Sequence, residues 1–127
     1  MEAPFHQHLA RGVELFNRQE FYEAHEAWEQ GWIDEVSDDR RLLQGLIQVA
    51  AGFYKLQTGS PVGTVKLLEQ GSAKLRSFVG RSYGVDLEAL LPAVEAWREE
   101  AARLVAGKRC DYDPANLPKL LFAPAPA

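Results

Sequence analysis

Between Leu42 and Leu56 one helical stretch carries Leu42, Leu43, Leu46, Ile47, Val49, Ala50, Phe53, Tyr54 and Leu56. At about 100° per residue these side chains cover most of a helix's circumference. A helix that is apolar nearly all round must be enclosed by other elements, so the chain needs a fold with a central helix. Gly45 and Gly52 lie seven residues apart within it. A glycine inside a helix costs roughly 1 kcal/mol relative to alanine, and close approach of a neighbouring backbone is the compensation expected here.

The flanking segments supply that neighbourhood. No segment shows sustained alternation of apolar and polar residues, whereas helical stripes recur along the chain. A first helix is expected from Pro4 to Asn17, with Leu9, Val13 and Phe16 on its stripe. A second should run from Glu20 to Asp34, carrying Phe21, Ala24, Trp28 and Trp32 inward. The central helix starts near Asp38, where Ser37 or Asp38 can cap it, and Gly59 stops it after Thr58. Ser60 and Pro61 then open a fourth helix that continues to about Val79. Asp86 opens a short turn, and a fifth helix runs from Pro92 to Ala106. The expectation is an all-α, compact bundle of about five helices: two helical hairpins, a C-terminal helix and an extended tail. It forms one domain over 1–127, the bundle being 1–107 and the Pro-rich tail 108–127. At an offset of forty residues Glu14 to Gly31 lies over Tyr54 to Gly71, and both end in Glu-Gln-Gly. This rhythm suggests a helical hairpin repeat resembling tetratricopeptide units, without their period or signature.

Charge separates along the chain more than its net value of −4 suggests. From Glu20 to Asp39 there are eight acids and no Lys or Arg, while residues 40–85 hold seven basic side chains against Glu69. Two readings follow: successive helices exchange charge across exposed seams, or two faces of opposite sign meet a cationic and an anionic partner. The net charge argues against nucleic acid as a partner. No apolar run is long enough for a membrane span, and the start MEAPFHQHLARG lacks the features of a signal peptide. The single Cys110 fits a reducing compartment, so a cytoplasmic location is expected. The apolar central helix and the tryptophans suggest a homodimer.

One polar constellation stands out. His25, Glu26 and Glu29 share the second helix with Tyr22, and a His with Glu at i+4 can bond along the helix. On the central helix Gln44, Gln48 and Lys55 form a narrow polar strip. Antiparallel packing would let His25, Glu26 and Glu29 face Gln44 and Gln48. Three roles remain open for this cluster: a buried hydrogen-bond network fixing helix register, a pocket for a small molecule or partner, or a metal site. In the metal reading His25 and Glu29 are ligands and Glu26 a general base of a hydrolase, although HEAWE is not the HExxH zinc motif. No Gly-rich phosphate loop, CxxC pair or nucleophile elbow is present, and no cofactor is expected. Arg40-Arg41 reads as a solvated helix start rather than a phosphate clamp.

FNRQEFYEAHEAWE (Phe16 to Glu29) followed by Trp32, QGLIQVAAGFY (Gln44 to Tyr54) and the following GSPVGTVKLLEQG resemble the bacterial and archaeal domain of unknown function 309 family. The resemblance covers about Leu9 to Leu91 and leaves out the Pro-rich tail. It implies an all-helical fold and maps the family motif onto His25, Glu26, Glu29, Gln44, Gly45 and Gln48, without implying an activity. The sequence thus leads to a small binding protein using the His/Glu/Gln cluster, the alternatives being a metal-dependent hydrolase and a tetratricopeptide-like interaction module.

Overall fold

The computed structural model describes residues 4–109 and 113–123. Cys110 and the last residues of the tail lie outside them. Five helices follow one another: α1 (Pro4–Asn17), α2 (Phe21–Asp34), α3 (Arg40–Gln57), α4 (Pro61–Leu75) and α5 (Leu87–Val105). Short 3-10 turns occupy Arg76–Phe78 and Pro114–Asn116. Among the described residues there is no strand; one isolated antiparallel bridge joins Val85 to Phe122. No helix there is long and apolar enough to cross a membrane.

Each helix packs chiefly on its neighbours in sequence. The two connections that fold α1 on α2 and α3 on α4 use the same chemistry. Gln19 and Gly59 both take a left-handed conformation, with φ of 61° and 83°. Gln19 N–H bonds Phe16 O at 2.9 Å and Glu20 N–H bonds Leu15 O at 3.0 Å. The second connection repeats this pattern from Gly59 to Leu56 and from Ser60 to Lys55. Both are helix ends in which a left-handed residue lets the following amides close on the last turn's carbonyls.

The central helix is α3, where Leu42, Leu43, Leu46, Val49, Ala50 and Phe53 are fully buried. Its glycines admit α4 as their spacing suggested. A Cβ on Gly71 of α4 would lie 2.8 Å from the Gly45 carbonyl oxygen, and one on Gly52 would lie 2.9 Å from Leu68. The tail closes the array. Leu117 and Leu120 are buried, and Asn17 on α1 both donates to Leu120 O (2.9 Å) and accepts from Leu120 N–H (2.7 Å).

Two expectations change. α5 begins at Leu87, five residues before Pro92, so the proline sits inside the helix. Asp86 accepts from Ala89 N–H at 3.0 Å and caps the helix. Burial of Leu87 and Leu90, at roughly 1.5–3 kcal/mol each, together with that cap, offsets a proline penalty of about 3 kcal/mol. α4 ends at Leu75 and tightens into the 3-10 turn instead of reaching Val79. Most of α3's apolar face, Trp28 and Trp97 are covered within the chain, while Trp32 is half-buried.

Candidate functional site

The inward positions of α2 are Phe21, Ala24, Trp28 and Gly31, spaced three and four residues apart. Phe21 stacks near Phe53 of α3 at 5.4 Å between ring centroids, and Trp28 donates its indole N–H to Leu9 O on α1 at 3.1 Å. With these residues fixed inward, the same helical period turns Tyr22, Glu23, Glu26 and Gln30 outward, all exposed. His25 falls at the margin. Its Nε2 lies 3.1 Å from Glu29 Oε2, with the His25 side chain 27% and the Glu29 side chain 45% exposed. Its Nδ1 is shut off from solvent and has no hydrogen-bond partner. Buried polar atoms without partners are uncommon, so the ring's position is imposed by its surroundings.

Tyr22 ties the neighbourhood together. Its ring centroid is 5.8 Å from that of His25 and 5.4 Å from that of Tyr54 on α3. Two shallow recesses adjoin it. One of about 200 Å³ is lined by Tyr22, His25, Glu26, Glu29 and Gln30. The other, of about 310 Å³, lies between Tyr22 and Tyr54 and includes Glu20 and Glu23. Among the described residues no Lys, Arg, Ser, Thr or Cys lines either one. The surface is acidic and aromatic.

The structure therefore brings together Tyr22, His25, Glu26 and Glu29, but not the α3 strip. Gln48 faces α4: its Oε1 accepts from Lys74 Nζ at 2.8 Å and its Nε2 donates to Gln70 at 3.4 Å. Gln44 lines a separate groove beside Trp32 and Arg40. The stem of Lys55 lies against α4, its Cγ 3.2 Å from where a Gly63 Cβ would stand. Among the described residues no hydrogen bond joins His25 or Glu29 to Gln44 or Gln48. The reason is that α2 and α3 meet through apolar contacts, Phe21 on Phe53 and Gly31 against Leu43, which leave no room for a polar seam. For a metal, the face offers the pair His25 and Glu29; among the described residues no group of three or more His, Cys, Asp or Glu side chains converges.

Tyr54 was not singled out as a site residue, because its place in an apolar helix reads as core. Its polar tip and its alignment with the Gly59 end of α3 were the available signals. Residues 9–67 match the family model described as Domain of unknown function (DUF309). No curated protein matches the chain.

Proposed function

From its surface, and with residues 9–67 matching a family model whose description assigns no activity, we propose that the chain is a non-catalytic binding module. It takes a cationic protein segment on the outward face of α2. The observation that carries this reading is Tyr22, which stands between two recesses bordered by Glu20, Glu23, Glu26 and Glu29, with no basic residue among those described lining either. A Lys or Arg side chain laid over an exposed tyrosine ring gains about 0.5–1 kcal/mol, and carboxylates at the rim add attraction that salt screens. Glu29 bonds the His25 ring through Oε2, and its side chain stays 45% exposed.

The comparison between hairpins supports a recognition role for this face. Forty residues on, the inward set Ala24, Trp28 and Gly31 becomes Thr64, Leu68 and Gly71, all buried again. The outward set Tyr22, His25 and Glu26 becomes Val62, Val65 and Lys66. A hairpin of this shape thus folds without the acidic face. We read the two hairpins as copies of one unit, of which the first carries the recognition surface. Helices stacked in sequence order suit such an interaction module.

The test is binding of a fluorescently labelled peptide of alternating lysine and alanine, followed by anisotropy at low and high salt. Wild type should bind with marked salt dependence. Tyr22→Ala combined with Glu26→Gln should weaken binding about tenfold, equivalent to 1.4 kcal/mol. Equal affinity of wild type and variant would refute the assignment.

A further inference from the structure

A third recess shares no residue with the Tyr22 face. It lies where the α2–α3 connection approaches the end of α4, and it measures about 610 Å³. That volume falls within the range of small-molecule sites. Its walls include Trp32, Val36, Arg40, Arg41, Phe78 and Arg81. Two of the guanidinium groups lie on aromatic rings: Arg40 is 4.2 Å from the Trp32 ring centroid and Arg81 is 4.4 Å from that of Phe78. Stacking occupies a face of each guanidinium and fixes its plane, so its N–H edge stays available as a rigid fork.

Those edges are underused. Arg81 gives its Nε–H to Ser77 O at 3.1 Å. Its terminal nitrogens, and the guanidinium groups of Arg40 and Arg41, have no hydrogen bond or ion pair among the described residues. Three guanidinium groups thus line one groove against a single carboxylate, Asp38. Of the acids next to the groove in sequence, Asp39 accepts the Tyr83 hydroxyl and Glu35 accepts Ser37 N–H at 3.1 Å. The first amides of α3 are used as well, Arg40 N–H on Ser37 O and Arg41 N–H on Asp38 O. Recognition of an anion therefore falls to side chains.

We propose that this groove binds a small phosphomonoester, with Arg40, Arg41 and Arg81 holding its phosphoryl oxygens and the ligand's apolar body lying on Val36 and the edge of Trp32. Val36 is 94% exposed, an apolar side chain with no cover inside the chain. A carboxylate has two oxygens, which one guanidinium fork satisfies. A phosphoryl group has three terminal oxygens and a charge of about −1.5 to −2 near neutrality, which suits several forks at once. The site is independent of the α2 face.

Phenyl phosphate is the probe, followed by calorimetry and by the fluorescence of Trp32, the tryptophan at the groove. It should bind saturably, with benzoate about tenfold weaker, and Arg41→Gln and Arg81→Gln should each weaken phenyl phosphate about tenfold. Arg41 is exposed and makes no hydrogen bond or ion pair among the described residues, so Arg41→Gln should unfold at the wild-type midpoint. Arg81→Gln also loses its bond to Ser77 O and its stack on Phe78, so its binding is measured well below its own midpoint. Arg103→Gln on α5 and Tyr22→Ala should leave binding unchanged. No saturable binding, or binding indifferent to both arginine variants, would overturn the site. Benzoate as tight as phenyl phosphate would overturn the phosphoryl assignment. A single-stranded oligonucleotide binding far more tightly through the same arginines would replace the small ligand with nucleic acid.

Discussion

Gly12 on α1 gives the sharpest test of how α2 is held. A Cβ at this position would lie 2.0 Å from Trp28 Nε1 and 2.3 Å from two carbons of the indole. Ordinary contact begins more than 1 Å further out, and the indole has nowhere to go. Trp28 is fully buried, its ring lies 5.9 Å from Phe16, and its N–H is bonded to Leu9 O at 3.1 Å. Gly12→Ala must therefore push α1 outward or rotate the indole away from its acceptor. Overpacking of this kind costs about 1–3 kcal/mol and a stranded buried donor about 1–3 kcal/mol more. Better helix propensity returns about 1 kcal/mol. The net expectation is a loss of about 1–5 kcal/mol, which at this length lowers the thermal midpoint by roughly 3–20 °C. Urea unfolding followed by circular dichroism measures it directly. Gly63→Ala is the control, since its Cβ meets the flexible stem of Lys55 at 3.2 Å. Gly12→Ala unfolding at or above the wild-type midpoint would refute the packing argument.

Further predictions follow from local geometry. Tyr83 donates its hydroxyl to Asp39, and that hydrogen bond, with burial second, raises its pKa above 10.0. The contribution to stability is then complete below the unfolded pKa and is lost as pH rises through the folded one, so Tyr83→Phe should flatten the alkaline end of the stability profile. Ultraviolet titration should show one phenol ionising late, and Asp39→Asn should bring it down. Gln19 holds φ of 61° where the second hairpin has Gly59; Gln19→Gly should stabilise by about 0.5–1 kcal/mol in denaturant unfolding. His25→Ala should cost no more than about 1 kcal/mol, because Glu29 is half exposed and water replaces its partner. A loss of several kcal/mol would make the pair a structural element.

The helices were legible because each carries its own stripe and its own punctuation. Leu9, Val13 and Phe16, then Phe21, Ala24 and Trp28, are buried as their spacing required. Gly45 and Gly52 were readable as points of close approach, and α4 lies on them. The polar cluster was half legible. Spacing along one helix is enough to pair His25 with Glu29, and the pair forms. Pairing them with Gln44 or Gln48 needed knowledge of which side of α3 faces α2. A helix that is apolar nearly all round does not reveal this from its periodicity. The choice is made by shape, with Phe21 on Phe53 and Gly31 on Leu43, so Gln48 turns to Lys74. The arginine groove was legible only as the pair Arg40-Arg41, which reads on its own as a solvated helix start. Arg81 joins Arg40 and Arg41 only through the turn after α4, and no local pattern connects residues so far apart. Pro92 misled because a proline is a good first residue of a helix, while the cap at Asp86 and the buried Leu87 decided otherwise.

The central claim is that the outward face of α2 recognises positive charge. A nitrogen-15 labelled sample titrated with the lysine–alanine peptide at low salt, with each amide followed by NMR, tests it residue by residue. The account predicts saturable shifts at Tyr22, His25, Glu26, Glu29 and Tyr54, fading as salt is added, and no response at Phe78 or Arg81. Shifts spread evenly over the acidic surface, or none at Tyr22 and Tyr54, would contradict it.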